Sequence, residues 1–151
     1  MVKLRHIKRV GIIGGSRPQT HHLELAYRVG YLVASKGSLI ICGGLGGVME
    51  AAARGAKEAG GLTVGILPGS DYQEANPYID LPISTGLGHA RNALVAMNSD
   101  VLIAIGGEYG TLSEIAFGRL YGKKIISLDS WEIPGVIQAK TPEEACELAL
   151  A

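Results

Sequence analysis

The residues best placed for chemistry lie between Val101 and Leu120, where the chain reads VLIAIGGEYGTLSEIAFGRL: Gly106, Gly107, Tyr109, Gly110, Thr111 and Glu114. Val101 to Ile105 is a continuous, β-branched apolar run, the pattern of a strand buried on both faces. The glycines form a turn, and Thr111 to Tyr121 has the spacing of an amphipathic helix. Strand, glycine turn and helix N-terminus in that order aim backbone N–H groups and the positive end of a helix dipole at one point. That arrangement holds phosphate. Thr111 adds a hydroxyl and Glu114 a carboxylate one turn further on. The same residues also fit a plain strand-to-helix connection in which Thr111 caps the helix and Glu114 completes a capping box.

A second turn of this kind sharpens the signal. Ser38 to Cys42 (SLIIC) reads as a strand running into Gly43-Gly44-Leu45-Gly46-Gly47, with a helix from Val48 to about Ala59. A further strand, VGIIG from Val10 to Gly14, is closed by Gly15, Ser16, Arg17 and Pro18 before a helix from about His21 to Ser35, ended by Gly37. Thr85-Gly86-Leu87-Gly88 opens the helix HARNALVAMN, with Arg91 and Asn92 in its first turn. Ala90, Ala93, Leu94 and Met97 supply its apolar face, so pattern alone puts Arg91 on the surface and makes His89 a cap or a packed ring. His21 and His22 are adjacent and do not share a helix face, so a solvated helix start is expected there and no metal-ligand set. Glu50 and Arg54, four apart, read as a surface helix pair.

These loops need elements to position them. Leu62–Leu67 and Leu81–Ser84 read as strands and Lys124–Leu128 as the last one; Thr141-Pro142-Glu143-Glu144 starts a closing helix. Ser70 to Asp80, broken by Asn76-Pro77, is the least regular stretch and is read as a lid or an oligomer contact. Strand and helix alternate throughout, which predicts an α/β fold: one domain over residues 1–151 with a doubly wound, mostly parallel sheet and helices on both faces. Ligands in such sheets bind at the carboxyl ends of the strands, where both glycine loops, Ser16, Thr85 and Glu114 fall.

Composition narrows the classes. The chain has 151 residues, 47% of them hydrophobic, and 22 glycines, enough for a full core and incompatible with disorder. Fourteen basic residues balance fourteen acidic ones, so nothing argues for nucleic-acid or membrane partners. The cysteines, Cys42 and Cys146, are far apart and read as buried, reduced thiols of a cytoplasmic protein. No apolar run approaches membrane-spanning length. The dinucleotide fingerprint fails after the first strand, and after the second it breaks at Met49, with no acidic residue ending the next strand. No Walker A sequence and no nucleophile elbow occur. A small phosphorylated ligand held by backbone loops remains.

Three motifs carry a family resemblance: CGGLGGVMEAA (Cys42–Ala52), TGLGHARN (Thr85–Asn92) and GGEYGTLSE (Gly106–Glu114). They resemble the LOG family of Rossmann-like proteins, formerly labelled lysine decarboxylases, and within it the branch of the molybdenum-cofactor carriers, over about Val10 to Leu128. The resemblance implies two functions. LOG enzymes hydrolyse the N-glycosidic bond of nucleoside 5′-monophosphates with no cofactor. Their P-G-G-x-G-T-x-x-E signature falls on Gly106–Glu114, with Gly106 in place of proline and Glu108 in place of the second glycine. Their H-E-R-K segment falls on His89-Ala90-Arg91-Asn92. Arg91 and Glu114 are thereby implied as catalytic residues, while the carboxylate at Ala90 is lost. Glycosidic cleavage passes through an oxocarbenium-like state that a carboxylate stabilises or supplies with activated water, so that loss favours binding without turnover.

The carrier branch implies a molybdenum cofactor as carried ligand and a homo-oligomer, dimer or tetramer. Gly14, Gly15, Ser16, Gly43, Gly44, Gly46, Gly47, Thr85, Asn92, Gly106, Gly107, Tyr109, Gly110 and Thr111 are the expected ligand-binding residues. A lysine decarboxylase is not expected, because no lysine falls in a glycine-loop setting to form a pyridoxal Schiff base.

Overall fold

A computed structural model describes residues 4–151. Its strands are β1 (Arg9–Gly14), β2 (Leu39–Cys42), β3 (Thr63–Leu67), β4 (Leu81–Ser84), β5 (Val101–Ile105), β6 (Lys124–Leu128) and β7 (Ile137–Ala139). The helices are α1 (Thr20–Ser35), α2 (Val48–Glu58), α3 (Asn92–Met97), α4 (Tyr109–Leu120) and α5 (Pro142–Leu150). The strands form one seven-stranded sheet in the order β4-β3-β2-β1-β5-β6-β7, and every pairing is parallel. The α/β, doubly wound architecture is the one expected.

Side chains of the central strands alternate between two cores. Val10, Ile12, Val101, Ile103 and Ile105 join a cluster with α1, α2 and α5. Ile13, Leu102 and Ala104 join the other, with Val95 and Ala96 of α3 and Ile115 of α4. A period of two along strands buried on both sides therefore splits the helices into two layers. Pro82, which cannot donate to a ladder, lies in the edge strand β4.

Two local expectations are corrected. The sheet does not end at β6: Ile126–Leu128 pair with Ile137–Ala139. Three residues of strand behind Pro134-Gly135 are too few to show a period. The helix in HARNALVAMN is a 3-10 turn over Gly88–Arg91 followed by the short α3. The remaining element boundaries fall within two residues of those read from the sequence.

α1 and α2 touch backbone to backbone. A Cβ on Gly30 would overlap the carbonyl of Ala52, and one on Gly55 would overlap that of Tyr27. Since α1 follows β1 and α2 follows β2, this contact sets the spacing of the first two glycine loops. Gly30→Val is expected to lower unfolding free energy by about 2 kcal/mol or more, through forced separation of the helices. Gly37→Ala is the comparison: nothing lies within 4 Å of its Cβ position, but its φ of +85° carries a smaller backbone cost. Urea denaturation of the two variants checks the order.

Candidate functional site

The chain runs from β1 outward through β2, β3 and β4, then crosses to β5 on the other side of β1. Helix α1 leaves β1 toward one layer and α4 leaves β5 toward the other, so the crevice between the carboxyl ends of β1 and β5 is the topological switch point. The predicted loops meet there. A Cβ on Gly15 would stand 3.5 Å from the Gly107 Cα. The Val48 N–H donates to the Gly15 carbonyl at 3.0 Å, which ties the β2 loop to the β1 loop. Gly106 and Gly107 have φ of +56° and +90°, and any side chain at Gly107 would run into Thr111.

The capping-box reading of the central stretch does not hold. Helix α4 begins at Tyr109, and Glu108, its N-cap, makes no side-chain cap bond. Thr111 and Glu114 are both buried, in the first and second turns of α4. Glu108 itself is exposed, so its charge faces solvent.

Arg91, placed on the surface by pattern alone, is 7% exposed. Its guanidinium donates to the Gly43 carbonyl at 3.4 Å and to Asn92 Oδ1. A Cβ on Gly43 would come within 2.6 Å of that guanidinium, so the first glycine of the β2 loop is the space Arg91 occupies. Asn92 in turn donates to Ser113 Oγ at 3.0 Å and to the Gly110 carbonyl at 3.4 Å, clamping the start of α3 onto the first turn of α4. The buried Arg91 Nε has no hydrogen-bond partner among the described residues. An unpaired donor of this kind costs free energy unless something binds it.

Burial pushes the Glu114 carboxyl up from 4.5 to about 8, against the opposing pull of Arg91. Burial lowers Arg91 from its usual value, but an arginine keeps its charge at neutral pH. The two interact through their charges without forming one of the direct ion pairs seen among the described residues. At neutral pH the pair is therefore a protonated carboxyl beside a buried cation. Cys42, at the end of β2, senses both charges, and burial pushes its thiol up to about 11. It is no nucleophile at neutral pH.

Other expected residues are placed differently. Gly14 ends β1, and Gly15, Gly44 and Gly47 lie in the loops, while Ser16 and Gly46 are exposed at their tips. Tyr109 is 79% exposed and sits beside Trp131, with ring centroids 6.1 Å apart. The Thr85 hydroxyl is already used, donating to the Leu67 carbonyl and accepting from the Leu87 N–H. The Ser70–Asp80 segment is pinned to the β2 loop and to β3: Asn76 donates to the Leu45 carbonyl at 2.8 Å, and Asp80 accepts from the N–H of Thr63, which opens β3. Glu50 and Arg54 form no surface ion pair; Arg54 lies over the Tyr27 ring. A cleft of about 240 Å³ opens between Pro18, Glu50, Arg54 and Tyr78, sharing only Gly47 with the expected residues.

Sequence reasoning missed Ser113, which orients Asn92, and Trp131, whose Nε1 donates to the Glu108 carbonyl at 3.1 Å. It also missed Asp129, whose carboxylate meets both His21 and His22. None of these lies in a spacing pattern, and only tertiary contact reveals them.

The sequence profile of the SLOG cluster4 family matches residues 7–150. The chain belongs to that family. Among solved structures, the molybdenum cofactor binding protein of Rippkaea orientalis is similar at 37% identity, a TM-score of 0.90 and 95% coverage of both chains. The molybdenum cofactor carrier protein of Chlamydomonas reinhardtii is similar at 32% identity and a TM-score of 0.85, covering 94% of this chain and 95% of that one. A protein of Archaeoglobus fulgidus is 45% identical, with 96% of each chain covered. A cytokinin riboside 5′-monophosphate phosphoribohydrolase of Mycobacterium tuberculosis is 34% identical over 72% of this chain, and the match spans 63% of that enzyme. This SLOG cluster4 protein thus stands in the LOG superfamily beside the molybdenum-cofactor carriers. Among its described residues no helix is long and apolar enough to cross a membrane.

Proposed function

We propose that this protein binds a small phosphorylated ligand, a nucleotide or a molybdopterin-type cofactor, in the β1–β5 crevice, and acts as a carrier or sensor. The observation that carries this reading is Arg91: a buried cation with an unpaired Nε, beside a carboxyl that burial keeps protonated. Such a site has net positive charge, so it favours an anion. The β1 and β5 loops also approach each other closely, since a Cβ on Gly15 would stand 3.5 Å from the Gly107 Cα. The two similar structures of nearly equal length are proteins whose names state molybdenum-cofactor binding or carriage.

A second reading, a nucleoside 5′-monophosphate phosphoribohydrolase, rests on Glu114. A carboxyl held near 8 can give its proton to a departing base. Ala90, exposed in the turn before α3, leaves that chemistry without the second carboxylate of the LOG segment. An oligomer of this chain is part of the proposal, supported by the exposed Leu81 and Ile83 on the edge strand β4.

The test is incubation with nucleoside 5′-monophosphates and with a phosphorylated pterin, followed by thermal shift and by chromatography of free base. A carrier or sensor gives a shift without base release; a ligand at a hundred times its Kd stabilises by about 2.7 kcal/mol. Base release that vanishes in Glu114→Ala assigns the hydrolase instead. No shift with any phosphorylated ligand overturns both.

A further inference from the structure

We propose that His21, His22 and Asp129 bind a divalent first-row transition-metal ion, with zinc or cobalt as probe. Both imidazole Nε2 atoms stand 2.9 Å from the same Asp129 Oδ2, and all three donor atoms lie within 4.8 Å of one another. Donor atoms bound to one ion at ~2.0–2.1 Å stand roughly 2.9–3.4 Å apart, so small shifts admit a metal where hydrogen bonds now run. Two imidazoles and a carboxylate form a donor set suited to zinc, cobalt, nickel or iron.

The convergence comes from the fold. His21 and His22 occupy the first turn of α1, where their rings lean together with centroids 4.1 Å apart. The third ligand comes from 107 residues further along, at the carboxyl end of β6, and fills the angle between the rings. Asp129 has a φ of +53° and is alone among the described non-glycine residues in a left-handed conformation. That conformation is sparsely populated for a residue with a side chain and persists where the surroundings fix it. Here the Gly106 N–H donates to the Asp129 carbonyl at 3.1 Å, and the Ser130 hydroxyl donates to the Gly106 carbonyl.

Gly106 also leaves the room that His22 needs, since a Cβ there would stand 2.8 Å from the ring. His22 is largely buried, with its side chain 12% exposed, whereas His21 and Asp129 are more than half exposed. Three protein ligands with an open side make a site of the kind that keeps positions for water or a further ligand.

The experiment uses the full chain without a polyhistidine tag, stripped with chelator and free of phosphorylated ligand, so its outcome is independent of the function proposed above. Cobalt(II) is titrated by its visible absorption, and zinc(II) by competition with a chromophoric chelator. The expected result is one equivalent bound, with affinity reduced at least tenfold in His21→Ala and in Asp129→Asn and unchanged in His89→Ala. Asparagine tolerates the left-handed backbone and His21 is exposed, so both variants retain the fold, which circular dichroism checks. Uptake below one equivalent, or equal uptake by the parent and Asp129→Asn, overturns the proposal.

Discussion

Glu114→Gln is expected to match the parent protein in stability at about pH 3.5 and to exceed it by several kcal/mol at about pH 9. The carboxyl is 6% exposed and held at about 8 in the folded chain, against 4.5 when solvated. Below the lower value both states are protonated and nothing is lost. As pH rises, the unfolded chain ionises first while the folded one holds its proton, so stability falls until the folded group ionises near pH 8. The loss is on the order of 4 kcal/mol. Glutamine has the shape of the protonated acid and does not titrate. The difference between variant and parent therefore isolates this group from the other titrations. Urea denaturation across that range measures it; parallel pH profiles for the two proteins would show that Glu114 is not desolvated in solution.

Arg91→Met is expected to separate binding from folding. Removing the guanidinium takes away a buried cation held against the β2 loop, and hydrogen bonds to charged groups contribute about 1.5–3 kcal/mol. Affinity for a phosphorylated ligand should fall roughly 10- to 100-fold. Stability should change by less than about 2 kcal/mol. A buried charge replaced by an apolar side chain of similar length also loses its desolvation penalty, while the Asn92 Oδ1 loses a donor. Glu114 should titrate higher still, since Arg91 is what pulls it down. Isothermal titration calorimetry and carboxyl-resolved NMR check the two effects. Unaltered affinity in the variant would remove Arg91 from the site.

Much of the fold was legible because its signals are local and repeated. VGIIG, SLIIC and VLIAI are continuous apolar runs that only strands with two covered faces require, and each ends in glycines followed by helical spacing. Thr141 shows the same legibility at a helix start: its hydroxyl accepts from the Glu144 N–H at 3.1 Å, with Pro142 opening α5. Thr111 shows the opposite. Thr-x-x-Glu has the spacing of a capping box, but the helix starts two residues earlier and buries both side chains. Spacing alone cannot locate a helix end that tertiary packing shifts.

The candidate site divides the same way. Its glycines were readable, since turns after buried strands need them at fixed positions. The burial of Arg91 was not, because one helix's pattern shows which face is apolar but not that a neighbouring loop has left a hole for a guanidinium. His21 and His22 illustrate the limit: adjacency rules out a shared helix face, yet a third residue can sit in the angle between them.

The sequence by itself determined the alternation of strands and helices as far as β6 and the glycine turns that join them, because these follow from chain-local periodicity. The tertiary structure decided the charge state of Glu114, the burial of Arg91 and the meeting of His21 and His22 with Asp129. Desolvation and contact depend on residues tens of positions away, and no local pattern encodes those distances.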